Sequence, residues 1–242
     1  MAKPPIVTTL SEIRELSATV KHFRFAFDPG AGFPFKAGQF LMLHVPKETD
    51  PPVRRAYSIC SPPHDAGAVE IVVKRVEGGL ASNYLFGLAP QTRVTVDGPY
   101  GAFVLPSPLP KHLVFVCTGT GIAPFRGQIQ TLFKTGVGAA TRLTLIFGVR
   151  YEDEVLYDGE WRALAAAHPN FRFIPTISRP RHTPAPWTGE VGYVQTKLAQ
   201  HAPADPDTKV FICGLWDMIS AVETTCLELG YPKKHIHYER YD

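Results

Sequence analysis

The order of hydrophobic and polar positions changes character near the middle of the chain. Within residues 1–105, short apolar-polar alternations are separated by turn residues. The clearest alternating runs are Phe23–Phe27, Gln39–Val45, Ala68–Val76 and Arg93–Val96. A period of two is typical of half-buried strands, so this half is predicted to be an antiparallel β-barrel. One short helix is expected to begin at Ser82 as N-cap and to continue through Phe86.

The second half follows a different rhythm, in which compact apolar runs alternate with helical patterns. Strands are predicted at His112–Cys117, Arg142–Phe147, Phe171–Ile177, Lys209–Cys213 and His235–Tyr241. Helices are predicted at Ala123–Phe133, Gly159–Ala167, Val194–His201 and Trp216–Leu229. Strands that alternate with helices indicate a parallel, doubly wound α/β sheet.

A proline-rich segment separates the two patterns. Leu105–Pro110 holds three prolines and serves as the predicted linker, at about residues 105–111. The predicted domains are therefore 1–105 and 106–242. Because open parallel sheets bind ligands beyond the carboxyl ends of their strands, a two-part active site is expected.

Composition narrows the class of protein. The 242 residues are 45% hydrophobic and carry a net charge of +3, which excludes a mainly disordered chain and gives no basic signature for nucleic acid. No apolar run approaches the length of a membrane span, and the first residues lack the apolar core of a signal peptide. The four cysteines form no CxxC pair, so no metal site is predicted, and free thiols in the cytoplasm are expected.

Three short motifs point to cofactor chemistry. Arg55–Ser58 places an arginine and a tyrosine on one strand face, where they would suit a phosphate and a flat ring. Gly78–Ser82 opens the short helix, and Cys117–Pro124 joins a strand to a helix through a glycine turn that would admit a pyrophosphate. Taken singly, the first two also fit an ordinary strand and an ordinary turn.

Together, and in this order, the motifs resemble those of the ferredoxin–NADP reductase family of flavoproteins. The resemblance spans essentially the whole chain. The matching segments are Arg55–Ser58, Gly79–Ser82, Gly119–Pro124 with Phe125 and Arg126, Cys213–Met218, and His237–Tyr241. The chain departs from the plant-type pattern at its end, because Asp242 follows the aromatic residue.

The resemblance implies a role for each matched segment. FAD would be held by the barrel, with Tyr57 stacked on the isoalloxazine, Arg55 and the amides near Ala81 and Ser82 on the pyrophosphate, and Ser58 near flavin N5. Catalysis is assigned to Ser58, Cys213, Glu239 and Tyr241, the last as a ring that yields its place to the nicotinamide. Cofactor binding is assigned to Arg55, Ala56, Tyr57, Ser58, Val72, Val73, Lys74, Gly79, Leu80, Ala81, Ser82, Gly119, Thr120, Gly121, Ile122, Ala123, Pro124, Arg150, Ser178, Arg179, Tyr193, Gln195, Gly214, Leu215, Met218 and Tyr241.

NADPH is favoured over NADH as the pyridine nucleotide. Ser178-Arg179 and the segment from Tyr193 to Gln195 resemble the family's elements for the 2′-phosphate and adenine, and no acidic residue stands next to Arg179 in the sequence. The basic residue that precedes the tyrosine in the plant pattern is replaced by Gly192. The acidic run Glu152–Glu154 is interpreted as a solvated loop.

The resulting expectation is a monomeric, cytoplasmic flavoenzyme that passes electrons between NADPH, FAD and a one-electron carrier such as ferredoxin or flavodoxin. Two alternatives remain open. The chain could be an NADH-dependent reductase component of an oxygenase or an NAD(P)H:flavin reductase. It could also be an electron-transfer subunit or redox sensor without turnover. FMN in place of FAD is a further open choice. Neither nucleic acid nor a membrane is expected as a partner.

Overall fold

The computed structural model describes residues 4–46, 52–65, 67–181 and 186–241. The chain forms two compact units. The first comprises residues 1–105 together with 123–134, and the second comprises 106–122 together with 135–242. The helix that follows the glycine turn thus packs with the barrel, whereas the turn itself belongs to the second unit. The domain boundaries at 105 and 106 stay a prediction, and Asp242 lies outside the described residues.

The first unit is the predicted antiparallel β structure. Its elements are β1 (Ile6–Ser17), β2 (Val20–Phe27), β3 (Phe40–Val45), β4 (Val53–Ser58), β5 (Ala68–Lys74), the helix α1 (Leu80–Phe86) and β6 (Arg93–Tyr100). The six strands are ordered β4-β3-β6-β1-β2-β5. Each neighbouring pair is antiparallel. The alternating apolar positions, among them Phe23, Phe25, Leu41 and Leu43, fill one continuous core.

The two edges of this sheet meet and close it into a barrel. Ile59, directly after β4, forms an antiparallel bridge with Ile71 on β5. Next to it, the Cys60 amide donates to the Glu70 carbonyl at 2.8 Å. We refer to these two residue pairs, Ile59–Ile71 and Cys60–Glu70, as the barrel seam. Without these bonds, the outer edges of β4 and β5 would be unpaired. With them, the sheet closes and neither edge is free.

Two features of this unit differ from the prediction. The twelve-residue strand β1 was missed, since its charged second half, SEIRELS, lacks a clear strand pattern. Helix α1 begins at Leu80 with Gly79 as N-cap, so the placement of its start at Ser82 was wrong. The reason is local: the Ser82 hydroxyl accepts the Val76 amide at 3.1 Å and thereby fastens the turn that precedes the helix.

The second unit is the predicted parallel sheet. Its strands are β7 (His112–Thr118), β8 (Arg142–Val149), β9 (Phe171–Ile177), β10 (Glu190–Val191), β11 (Thr208–Gly214) and β12 (Ile236–Arg240), in the order β10-β9-β8-β7-β11-β12. All neighbouring pairs are parallel. The helices along the chain are α2 (Ile122–Thr135), α3 (Asp158–Ala167), α4 (Leu198–His201) and α5 (Trp216–Glu228).

The differences in this unit lie at element ends. The two-residue strand β10 was not predicted, because it is too short to show a period. The helix expected over 194–201 is a 3₁₀ turn, Val194–Lys197, followed by the single turn α4. The last strand is shorter than predicted, with His235 in a 3₁₀ turn before it and Tyr241 just beyond it. No helix among the described residues is long and apolar enough to cross a membrane.

Burial of His22 beside the seam predicts a specific loss of stability in acid. Burial, opposed by Glu70 and reinforced by Arg126, Arg14 and Arg24, lowers the pKa of His22 from 6.5 to about 4. In the unfolded chain, His22 therefore binds a proton below pH 6.5, whereas in the folded chain it binds one only below about pH 4. Stability should fall with pH in that window by up to about 1.4 kcal/mol per unit from this residue. Urea unfolding at several pH values gives the free energy of unfolding as a function of pH. Between pH 6.5 and 4, its slope against pH should be shallower for His22→Gln than for the unaltered chain. Equal slopes would contradict the prediction.

Candidate functional site

The end of β4 presents a cation and an aromatic ring side by side. Arg55 is exposed, Tyr57 is half-buried and Ser58 is buried. Burial raises the pKa of Tyr57 to about 12, while the nearby Arg55 charge acts in the opposite direction. Tyr57 is therefore a neutral, partly covered ring next to a guanidinium, which suits an aromatic group that carries a phosphate.

The neighbouring Arg54, which the sequence did not single out, has a different task. Its guanidinium pairs with Asp97 at 2.6 Å, and Asp97 also accepts the Tyr100 hydroxyl at 2.5 Å and bonds with His44. Burial opposes ionisation of Asp97, but the bonds from Tyr100, His44 and Arg54 lower its pKa. This network ties β4 to β3 and β6 and leaves Arg55, which has no carboxylate partner among the described residues, available to a ligand.

The turn before α1 supplies backbone amides. The amides of Leu80, Ala81 and Ser82 lie in the first helical turn, where no carbonyl of the helix can accept them. The Ser82 hydroxyl is used within the turn, and a Cβ on Gly79 would lie 2.7 Å from it. Any anion held here would thus be bound by amides and not by the serine side chain. The preceding strand β5 ends with Val72 and Val73 buried and Lys74 exposed.

In the second unit, the glycine turn packs against the end of β11. Gly119 adopts a φ of +52°, and a Cβ at this position would meet nothing within 4 Å, so its conformation and not crowding favours glycine. At Gly121 crowding is what requires glycine, since a Cβ would lie 2.3 Å from the Cys213 carbonyl oxygen. Thr120 lies between them, and Ile122, Ala123 and Pro124 begin the buried first turn of α2.

The predicted catalytic residues of this unit lie together. Cys213 and Glu239 are partners in the parallel register of β11 and β12, and the Tyr241 amide donates to the Gly214 carbonyl at 2.9 Å. Burial, with the Glu239 charge and Cys117 adding to it, raises the pKa of Cys213 well above its ordinary value, against a hydrogen bond with Tyr241. Cys213 is thus a buried, neutral thiol. It is suited to lining a pocket and not to acting as a nucleophile.

Residues that follow Cys213 shape the same edge. Leu215 is 65% exposed, and Met218 lies on the first turn of α5. A Cβ on Gly214 would lie 2.3 Å from Met218 and 2.9 Å from the Thr118 hydroxyl, so the glycine allows these two side chains to approach.

The predicted 2′-phosphate and adenine residues also converge. Ser178 and Arg179 follow β9 and are bonded through their amides to the carbonyls of Val149 and Arg150 at 3.0 and 2.9 Å. Because β10 pairs with β9, Tyr193 stands at the same edge and is 62% exposed. Gln195 follows in the 3₁₀ turn.

The acidic run Glu152–Glu154 is more ordered than a solvated loop. Glu154 accepts the amides of Arg150 and Tyr151 at 3.0 and 3.2 Å, and Glu152 accepts the Arg181 amide at 2.9 Å. The Arg181 guanidinium lies over the Tyr151 ring at 3.5 Å. Acidic side chains therefore come close to the Arg179 segment in the fold, although none is near it in the sequence.

One group of potential metal ligands occurs outside these regions. Atoms of His22, Cys60 and Glu70 lie within 4.8 Å of one another. However, the two Glu70 oxygens already accept Arg24 at 2.7 Å and Arg126 at 2.8 Å. Two guanidinium groups at this distance would repel a divalent cation, so the cluster is better described as a buried ion-pair network.

Comparisons with known proteins bear on both units. A family model described as an oxidoreductase FAD-binding domain matches residues 7–105, and one described as an oxidoreductase NAD-binding domain matches residues 115–224. The chain is 38% identical over 245 residues to ferredoxin–NADP reductase B of Sorangium cellulosum, with 98% of both chains covered.

Two further likenesses broaden the picture. The chain is 33% identical over 234 residues to NADH-cytochrome b5 reductase 1 of Neosartorya fischeri, which covers 93% of this chain and 74% of that protein. The crystal structure of a cytochrome P450 reductase of Amycolatopsis matches with a TM-score of 0.86 at 26% identity, over 98% of this chain and 69% of that one. Similar chains thus include proteins named for different nucleotides and different electron partners.

The close approach at Gly121 predicts a strong effect of one methyl group. Gly121→Ala would force its Cβ to within 2.3 Å of the Cys213 carbonyl oxygen, and backbone must move to relieve the clash. We expect a loss of at least about 2 kcal/mol in unfolding free energy. Gly159→Ala in α3 is the control, since its Cβ meets nothing within 4 Å and should be neutral or stabilising. Denaturant unfolding with equal midpoints for the two variants would refute the packing argument.

Proposed function

The chain belongs to the ferredoxin–NADP reductase family of flavoproteins, and we propose that it transfers hydride between NADPH and FAD and exchanges single electrons with a protein carrier. The observation that carries this proposal is the group formed by Cys213, Glu239 and Tyr241 at the ends of β11 and β12. A subunit without turnover would have no need of this arrangement. Active hydride transfer is therefore favoured over the electron-transfer subunit or sensor.

The first unit offers groups that fit FAD. Arg55 is an exposed cation without a carboxylate partner among the described residues, and the Tyr57 ring lies beside it on β4. The amides of Leu80–Ser82 have no acceptor within their helix and are suited to a pyrophosphate. Ser58, buried at the end of the strand, would hold its hydroxyl near the reacting end of the ring system. When bound, FAD accepts two electrons as hydride and releases them one at a time.

The second unit would bind the pyridine nucleotide. At Gly119, where nothing lies within 4 Å of the Cβ position, the turn would leave room for the pyrophosphate at the start of α2. The Tyr241 backbone is bonded to Gly214, next to Cys213, and its ring would occupy the nicotinamide position and yield it to the nucleotide that enters. Cys213 then supplies a neutral, uncharged wall, and Glu239 provides a carboxylate beside the carboxamide. Both residues orient the ring and neither reacts with it.

NADPH is the proposed nucleotide. Arg150, Ser178 and Arg179 meet at the ends of β8 and β9, where Arg179 has no carboxylate partner among the described residues. An arginine without a local partner is suited to the 2′-phosphate of NADPH. The acidic side chains of Glu152 and Glu154 are bonded to backbone amides, which leaves less of their charge to oppose the phosphate.

An electron carrier is the partner, and we propose ferredoxin or flavodoxin as its identity. This choice follows the name of the relative from Sorangium cellulosum. The likeness to a cytochrome P450 reductase keeps an oxygenase component as the alternative. All four cysteines are free and buried, which is consistent with the proposed cytoplasmic location, and a monomer is proposed.

The first experiment is an anaerobic titration of the purified, FAD-loaded protein with NADPH and then NADH, followed by its visible spectrum. We expect the flavin to bleach at a concentration of NADPH at least about tenfold lower than of NADH, and steady turnover with an artificial one-electron acceptor. Arg179→Ala should abolish the preference, whereas Arg162→Ala should not, since Arg162 pairs with Asp158 on the surface of α3. A protein that retains no flavin, or that neither nucleotide reduces, would overturn the proposal.

Replacement of Tyr241 tests its role as a cover. Tyr241→Ser removes the ring that would compete with the nicotinamide, so we expect nucleotide to bind at least about tenfold more tightly and the preference for NADPH to decrease. Tyr238→Ser is the matched control on β12, three residues before Tyr241, because Tyr238 is 47% exposed and packs on Trp216. Fluorescence titration with NADP⁺ gives the nucleotide affinity of each of the two variants. Unchanged affinity in Tyr241→Ser, or an equal gain in Tyr238→Ser, would refute the assignment.

A further inference from the structure

We infer that Arg126 is a positioning residue, which holds the barrel seam closed and thereby fixes the backbone that follows Ser58. The inference rests on the proposed function, in which Ser58 adjoins the reacting part of the flavin. Arg126 belongs to α2, its side chain is buried, and the sequence motif around it gave it no role. All residues in the argument lie within the first unit.

The Arg126 guanidinium reaches both sides of the seam. It donates to the Cys60 carbonyl at 3.2 Å and to the Glu70 carboxylate at 2.8 Å. Cys60 and Glu70 are themselves joined by a backbone hydrogen bond at 2.8 Å. One side chain from outside the sheet thus bonds to each of the two segments that close the barrel.

Neutralising Glu70 does not by itself require Arg126. Arg24, on the adjacent strand β2, already donates to Glu70 at 2.7 Å, and His22 lies 3.7 Å away. What Arg126 adds is the bond to the Cys60 carbonyl and a connection to a helix. Its contribution is therefore geometric as well as electrostatic.

The helix is closely packed against the same segment. A Cβ on Gly127 would lie 2.8 Å from the Ser61 carbonyl oxygen and 3.4 Å from that of Ile59. A larger residue at 127 would push α2 away and lengthen both bonds of Arg126. The glycine and the arginine next to it thus act together to dock the helix on residues 59–61.

Ser58 depends on this docking because of its place in the sheet. It is the last residue of β4, which pairs with β3 on one side, where Ser58 faces Phe40. On the other side of β4, Ile59 and Cys60 carry the bonds to β5, and the Ile59 amide also donates to the Gln39 carbonyl at 2.9 Å on the β3 side. A seam that opens would free the chain directly after Ser58 on the side of β5 and leave it tied to the β3 side through the bond between Ile59 and Gln39, while Arg55 and Tyr57 would remain in the β3–β4 ladder.

Arg126→Lys tests the inference, because it keeps the positive charge but shortens the reach and removes the fork. In the FAD-loaded protein we expect the rate of flavin reduction at saturating NADPH to fall at least about tenfold. Nucleotide affinity and FAD content should stay within about twofold, since the residues that bind them are untouched. Hydrogen–deuterium exchange in a peptide that spans residues 56–62 should be at least about tenfold faster.

Gln128→Ala is the matched control on the same helix. Gln128 donates to the Phe103 carbonyl at 2.7 Å, so its loss weakens the packing of α2 without touching the seam. It should lower the melting temperature yet leave both the reduction rate and the exchange of residues 56–62 unchanged. If Arg126→Lys does not yield folded protein, Glu70→Gln, which retains the shape of the carboxylate, is measured in its place with the same expectations.

The outcomes separate this inference from the proposed function. Unchanged exchange at the seam in Arg126→Lys, or an equal loss of rate in Gln128→Ala, overturns the positioning role. Faster exchange with an unchanged reduction rate also overturns it, since Ser58 would then not depend on the seam. Failure of the unaltered protein to be reduced by either nucleotide would instead refute the proposed function, and the exchange data would remain interpretable.

Discussion

Closure of the barrel is the constraint on which the flavin-binding half of this protein depends. In the strand order β4-β3-β6-β1-β2-β5, the two segments that carry the candidate FAD residues belong to opposite edges. Arg55, Tyr57 and Ser58 lie on β4, whereas Lys74 and the turn at Gly79 follow from β5. The barrel seam, formed by the pairs Ile59–Ile71 and Cys60–Glu70, brings these edges together. One backbone bridge and its neighbouring hydrogen bond therefore join the two strands that carry the candidate FAD residues.

In the second unit, strand direction and not closure of a sheet brings the candidate ligand residues together. In a parallel sheet, every carboxyl end lies at one edge, so Thr118, Gly148, Ser178 and Gly214 are brought to that edge by strand direction alone. What limits the approach there is volume. Cβ atoms at Gly121, Gly148 and Gly214 would each lie within 2.5 Å of a neighbouring atom. The glycines thus permit the loops to pack densely at the edge where a ligand would bind.

The sequence predicted those features that depend on local pattern. The alternating positions of the first half and the apolar runs between helical patterns in the second half identified the two sheets. The motifs identified the turns at Gly79 and Gly119. The sequence did not predict features that depend on distant partners. Strand β1 has a charged half and is held by pairing on both sides, and Ser82 is used in a turn that its neighbours determine. Arg126 stands in a recognisable motif, yet its acceptors, Cys60 and Glu70, lie more than 50 positions away.

The arginines show how partners in the fold separate structural residues from candidate ligand residues. Arg54 and Arg55 are adjacent and equally basic, but Asp97 engages only Arg54. Arg24 and Arg126 both bind Glu70. Asp153 lies 3.9 Å from Arg181, whereas Arg179 has no carboxylate partner among the described residues. An arginine that has its carboxylate within the fold gains little by binding a phosphate, because it must give up one charge-assisted bond to make another. Among the described residues, Arg55 and Arg179 have no carboxylate partner, so each keeps its charge available for the phosphate group that we propose it binds.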